Sequence, residues 1–332
     1  MLSEKQLKKL SDVTFKKTAS IGLKHARENG PYVRKTVKDL KRSADVRKGD
    51  VSLVISAGPS LHKRKSLDTI KGTKFKGNVV AVDGSLGHCL RSGIVPDYVI
   101  TVDPHPDRII RWFGDPRLAE RPEDDYFRRQ DLDPALNRDE IARNQELIDL
   151  VNEHGPRIKV IISTSVSPEI TRRCMDAGMQ LFWWNPIYDD YEEEGSLTRQ
   201  IYQLNKVPCM ATGGNCGTSA WVFSHAVLES RATILVGMDL SYPPGTNVVN
   251  TQYYDILLEF MPDGPEKGLI EVANPYLQET WLTDPAYYWY SINFLKMAKE
   301  APCKTYNCTE GGILFGDGVE FAGLKETLAS FI

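Results

Sequence analysis

VISAGPSL, residues 54–61, runs a short apolar stretch straight into a Gly-Pro-Ser turn. An apolar strand that stops at a tight glycine turn with a small hydroxyl residue is how α/β proteins bring backbone amides up to a phosphate. The turn therefore suggests a nucleotide, with Gly58, Pro59 and Ser60 as its first candidate contacts. It has the spacing of neither GxGxxG nor GxxxxGKS/T, so it marks a strand and a turn rather than a named fingerprint.

The same pattern recurs outward from this stretch. VSLVIS (51–56), NVVAVD (78–83), DYVITVD (97–103), KVIIST (159–164), MQLFWWN (179–185) and ATILVGMD (232–239) read as short, nearly continuous apolar strands. Strands apolar on both faces belong to parallel or mixed sheets covered by helices on each side. Helical patterns fall at 85–92, 138–153, 167–177 and 217–229. The alternation predicts an α/β fold with a doubly wound, mostly parallel, Rossmann-like sheet over residues 51–332. Residues 114–140 are rich in charge and proline and read as an exposed insertion or lid. Residues 243–285, rich in Pro, Gly, Asn and Tyr, are expected to lie over the site.

Composition bounds the function. At 332 residues, 41% of them hydrophobic, the chain can bury a sizeable core. No apolar run approaches the roughly 20 residues of a membrane span, and MLSEKQLKKL lacks the apolar segment of a signal peptide, so a cytoplasmic protein is expected. Six cysteines without a CxxC pair fit reduced thiols better than disulfides or structural zinc. Residues 1–49 carry 14 Lys+Arg against 5 Asp+Glu, although the whole chain is at −3. Leu7, Leu10, Phe15, Ile21 and Leu23 recur there at loose helical spacing, so residues 1–50 read as a solvated, basic helical extension. Nucleic acid is not an expected partner, because no aromatic interleaving accompanies the basic run and the remainder is acidic.

Polar residues stand at several strand ends: Gly58-Pro59-Ser60, Asp83-Gly84-Ser85, Asp103-Pro104-His105, and Asp239 with Ser241 and Tyr242. In a parallel sheet these ends share one crevice, where open α/β sheets bind ligands. Each aspartate alone also reads as a helix cap or turn former, but recurrence at three strand ends favours a site. Thr212-Gly213-Gly214-Asn215-Cys216-Gly217-Thr218-Ser219 precedes a helical pattern and can offer amides to an anion, with Gly213, Gly214, Asn215, Thr218 and Ser219 as candidates. The same run also serves as a glycine turn that lets helix and sheet pack closely.

GPSL, then AVDGSLGHCLRSGIVPDYVITVDP, then GGNCGTSAWVFSHAVLESRATILVGMDLSY, and finally NCTEGG at 307–312, taken in order, resemble the family of motility accessory factors and archaeal 6-hydroxymethylpterin diphosphokinase-like proteins. The resemblance runs over residues 27–332 with gaps. It implies a nucleotide-dependent transferase with one of two chemistries. The first is a glycosyltransferase that moves a sialic-acid-like sugar from a CMP-activated donor to a hydroxyl of a protein, glycan or small molecule, with no metal. The second is a diphosphokinase that transfers diphosphate from ATP with magnesium to 6-hydroxymethyl-dihydropterin. Such diphosphokinases place two close aspartates after the third strand, whereas ITVDPHP has Asp103 alone, which favours the first chemistry; on the second, Asp83 and Asp103 are the metal ligands. The resemblance puts Tyr242 at the leaving phosphate and adds Thr309 and Glu310 as site residues. Asp239 and His105 are the candidate bases, and His225, in mid-helix, reads as a packed residue. A nucleotide-binding protein without catalysis is the third possibility. Tyr253, Tyr254, Tyr287, Tyr288, Trp289 and Tyr290 fit either the core or an acceptor groove.

Overall fold

Strand periodicity fixes the layers. In the computed structural model, which describes residues 19–44, 46, 49–105, 107–121 and 140–331, β1 (Val51–Ile55) is buried throughout. Leu53 and Ile55 point into one apolar cluster and Val54 into the other. A strand covered on both faces has no solvent side, and this is why its sequence does not alternate.

Eight more strands join it: β2 (Asn78–Val82), β3 (Tyr98–Thr101), β4 (Lys159–Ser163), β5 (Gln180–Ile187), β6 (Cys209–Ala211), β7 (Ala232–Val236), β10 (Lys304–Asn307) and β11 (Glu320–Phe321). The order is β11-β10-β7-β1-β2-β3-β4-β5-β6, and every pairing is parallel. Helices Asp83–Arg91, Glu140–His154, Pro168–Asp176 and Leu324–Ala329 serve one face, and Val37–Arg42, Cys216–Ala226 and Pro285–Glu300 the other. The chain builds from β1 to β6 in one direction, then returns to place β7 on the opposite side of β1. That reversal between β1 and β7 is the switch point outside which such sheets bind ligands.

The differences from the sequence reading have physical causes. The Asp83–Arg91 helix begins at the strand-end aspartate itself, so Asp83-Gly84-Ser85 is a first helical turn and not a loop. Strand β7 stops at Val236 because Gly237 turns at φ +66°. Strands β6, β10 and β11 span only two to four residues, too few for a periodic signal. From residue 19 onward the basic segment is docked rather than solvated: Ala19, Ala26, Val37 and Leu40 are buried, and Asn29 donates to the Thr164 and Val166 carbonyls at 3.0 and 2.8 Å. Residues 1–18 lie outside the described residues, as do 122–139 of the expected lid. The described start of that lid is tied down, since Asp115 is 1% exposed and Arg121 pairs with it at 2.8 Å. The 243–285 stretch holds a helix (Tyr254–Phe260) and an antiparallel hairpin of β8 (Ile270–Asn274) and β9 (Glu279–Thr283). Tyr242 bridges that hairpin to the β7 end through Leu282, with its N–H donating at 2.6 Å. No described helix is long and apolar enough to cross a membrane.

Candidate functional site

A cavity of about 580 Å³ opens at the carboxyl ends of β1, β2, β3, β5, β6 and β7. Its floor holds Gly58 and Pro59, Asp83 and Gly84, Asp103, the Gly213–Gly217 turn, and Asp239 to Tyr242. Its roof comes from the 243–285 stretch and the Pro285–Glu300 helix, through Gln252, Tyr253, Tyr287, Trp289 and Tyr290. The convergence expected from strand-end residues is therefore present, and the tyrosine-rich segment lines a groove on the inner side of its helix.

The turn that opens the sequence reading is already filled. Asp239 is 1% exposed; it accepts from the Ser60 N–H at 3.3 Å and from the Ser60 hydroxyl. The Gly58 N–H donates to Gly237 O at 2.8 Å, and Pro59 has no N–H. No amide of residues 58–60 is left for a phosphate, because the protein's own carboxylate occupies the cradle. The closeness is steric as well: a Cβ on Gly58 or Gly311 would run into the Asp239 carboxylate or Ser60. Burial pushes the Asp239 carboxyl up to about 7, opposed by the Ser60 hydrogen bonds and by Arg64.

Three further carboxylates face the cavity. Asp83 is pushed up to about 6 by burial, and its Oδ1 accepts from the Gly84 N–H at 2.7 Å. Asp103 is exposed at the rim and accepts from the His105 N–H at 2.8 Å. Asp284, unmarked in the sequence reading, is 0% exposed and caps the Pro285–Glu300 helix by accepting from the Ala286 and Tyr287 N–H groups at 2.8 and 2.9 Å. Burial holds it near 6. The Asp-Pro pair at 284–285 is the signal that would have found it, as an N-cap with proline at the first helical position.

Several expected contacts lie elsewhere. The Tyr242 hydroxyl donates to Asp284 at 2.6 Å and accepts from the Gln252 N–H at 3.0 Å, so its one proton is committed and it does not stand ready for a leaving phosphate. His105 turns its Nδ1 onto the Asp107 and Arg108 amides, at 3.2 and 3.3 Å, outside the cavity lining. Ser85 is fully buried and donates to Ile55 O at 2.6 Å. Thr218 and Ser219 are buried in the first turns of their helix, where Asn215 caps the Thr218 N–H at 2.9 Å. Thr309 accepts from the Met238 N–H at 3.1 Å, and Glu310 caps the Leu324–Ala329 helix through the Leu324 N–H at 3.2 Å. Neither lines the cavity. His225 packs edge-on against Trp221, as a helix residue does.

No group of three or more His, Cys, Asp or Glu among the described residues is arranged to hold a metal ion. Magnesium is ordinarily bound by one or two carboxylates plus substrate phosphates. Asp83 and Asp103 both line the cavity and lie close enough to interact electrostatically. Among the described lining residues none is Lys or Arg.

Residues 24–110 match the family model described as 6-hydroxymethylpterin diphosphokinase MptE-like. No curated protein matches the chain. Among solved structures, the MAf glycosyltransferase from Magnetospirillum magneticum AMB-1 is similar with a TM-score of 0.56 at 14% identity, over 91% of this chain and 38% of that one. The resemblance carried by GPSL and the DGS and VDP turns thus holds over 24–110, and the likeness of fold extends over most of the chain. The chain spans well under half the length of the glycosyltransferase it matches.

Proposed function

We propose that the chain is a transferase that takes a nucleotide-activated donor, and that the group moved is a sugar of the sialic-acid-like class carried on CMP. The observation that carries this reading is the cavity at the β1/β7 switch point, with a helix start on one side, a buried carboxyl near neutrality on the other and aromatic rings above. The likeness to a glycosyltransferase supports the choice of group.

In this scheme the acceptor hydroxyl attacks the anomeric carbon while the bond from that carbon to the phosphate oxygen breaks. Asp239, poised near 7, takes the hydroxyl proton in its ionised form. The leaving phosphate carries away the bonding electrons, and its charge is met by backbone N–H groups at the cavity edge. Tyr253, Tyr287 and Tyr290 line the cavity and supply aromatic surface for a base or a sugar ring. Tyr242 and Asp284 hold the roof in place rather than react. The test is release of CMP from a CMP-activated nonulosonic sugar in the presence of hydroxyl acceptors. Turnover that falls roughly 10²–10⁴-fold in Asp239→Asn agrees with the scheme; turnover unchanged in that variant removes Asp239 as the base.

One observation favours a second reading. Four carboxylates without a described Lys or Arg repel a naked polyphosphate. A diphosphokinase that brings ATP with magnesium would neutralise them, with Asp83 and Asp103 as the protein oxygens and the ion supplying charge stabilisation for phosphoryl transfer. AMP formed from ATP and 6-hydroxymethyl-dihydropterin, with no CMP released from the sugar donor, would select it.

A further inference from the structure

The cavity wall at the β5 end contains a residue that the sequence reading did not mark. Tyr188 follows β5 directly and lines the cavity together with Pro186, Ile187 and Asp103. Its hydroxyl is held behind that wall: it shares a hydrogen bond of 2.6 Å with the Ser165 hydroxyl, and Ser165 is fully buried and does not line the cavity. Burial pushes the Tyr188 hydroxyl up to about 12, opposed by the Ser165 hydrogen bond and assisted by the nearby Asp103 carboxylate, so the phenol keeps its proton. The ring is left as the part of Tyr188 that a ligand meets.

The N-terminal segment builds the anchor behind this ring. Helical residues 19–29 grip the loop after β4 at three carbonyls: His25 Nδ1 donates to Ser165 O at 3.0 Å, and Asn29 to Thr164 O and Val166 O at 3.0 and 2.8 Å. Gly22, buried and three residues before His25, faces the Ser165–Tyr188 pair itself. A Cβ there would run into the Tyr188 hydroxyl and lie 3.0 Å from Ser165 Oγ, so the helix comes this close only because the position is glycine.

We propose that Tyr188 is a ligand contact whose ring meets the nucleoside end of the donor, and that residues 19–29 position it through Gly22 and Ser165. The proposal rests on the transferase reading and deepens it, because it gives one part of the donor a place on the wall and makes the basic segment a component of the site. β4, whose following loop anchors Tyr188, stands three strands from β1, roughly 14 Å at about 4.8 Å per strand. Asp239, the reacting carboxyl, is bonded to Ser60 at the β1 end. An aromatic ring set apart from the reacting bond suits a base, because every base has a flat face that stacks on such a ring.

The experiment is calorimetric titration of the full chain with CMP, cytidine, AMP and adenosine, in wild type, Tyr188→Ala, Tyr188→Phe, Gly22→Ala, and Gly22→Ala combined with Tyr188→Phe. In Tyr188→Ala a nucleotide and its nucleoside are both expected to weaken roughly tenfold or more, as loss of a stacking ring should cause. Tyr188→Phe, which keeps the ring, should stay within about threefold of wild type. Gly22→Ala favours the helix by propensity, yet by displacing the Tyr188 hydroxyl it should weaken both ligands about fivefold or more. Added to Tyr188→Phe, where that hydroxyl is gone, the same change should cost less than about twofold. This rescue is what a merely structural role for Gly22 would not show, and should Tyr188→Ala not fold, the Gly22 cycle alone decides. Unchanged affinities in Tyr188→Ala, or weakening of the nucleotide without its nucleoside, would overturn the contact. Equal losses from Gly22→Ala in both backgrounds, or no loss in either, would overturn the positioning. In each of these cases nucleotide binding by wild type leaves the transferase reading standing; if wild type binds no nucleotide, that reading falls and the proposal with it.

Discussion

At the scale of single residues, the behaviour of the site follows from Asp239. A carboxyl whose folded pKa exceeds its unfolded value binds more protons when folded, so its contribution to stability is largest at low pH and is lost as pH rises from about 4 to the folded pKa. Asp83 and Asp284 reach about 6, and Asp239 about 7. Melting temperature is therefore expected to fall between pH 4 and 7 in thermal scans, and Asp239→Asn should lessen the fall, most of all in its upper part near pH 7. An unchanged slope in that variant would remove Asp239 from the titration. Steric closeness gives a second expectation: Gly58→Ala, which pushes a Cβ into the Asp239 carboxylate and the Gly237 carbonyl, should cost about 1–3 kcal/mol in urea unfolding. That Gly58, Asp83 and Asp239 converge on one cavity was legible because strand-end position is written in the sequence. That Ser60 and its turn face inward to Asp239 was not, because the partners are 179 residues apart and only the β1–β7 pairing brings them together.

At the scale of elements, the roof depends on one cap. Asp284 accepts from two amides at the start of the Pro285–Glu300 helix and also receives the Tyr242 proton. Asp284→Ala should destabilise the fold by about 1–3 kcal/mol, since it removes the cap and leaves a buried phenol without its acceptor. Asp284→Asn keeps the cap and should lose less. If the two variants melt alike, the cap is not what holds the roof. The aromatic segment shows what sequence could and could not give. Its aromatics fit either core or groove by sequence, and one helix does both, placing Phe294 in the core and Tyr287 and Tyr290 on the cavity. Only packing decides which face is which. The tyrosines bind one another at the roof, with Tyr253 and Tyr290 hydroxyls 3.2 Å apart and Tyr287 donating to Gln252, which joins the 243–285 stretch to the helix. Replacing Tyr287 by Phe should therefore leave melting nearly unchanged but weaken ligand binding a fewfold by loosening Gln252.

At the scale of the whole molecule, fold class was legible because six strands are apolar on both faces and separated by helical segments. Strand order was not, because β10 and β11 at one edge and β6 at the other are too short to leave a pattern. The switch point between β1 and β7 follows from that order, and with it the place of the site. The central claim is that a nucleotide occupies this cavity. The measurement that tests it most directly is a thermal-shift panel on the purified chain with CMP, CTP, AMP, ATP, UDP and GDP, each with and without magnesium. A ligand at about a hundred times its Kd adds about 2.7 kcal/mol to the native state, enough to move the melt by several degrees. The account predicts stabilisation by CMP without metal. Stabilisation by ATP only with magnesium would move the reaction to diphosphate transfer, and a panel in which no nucleotide shifts the melt would contradict the claim itself.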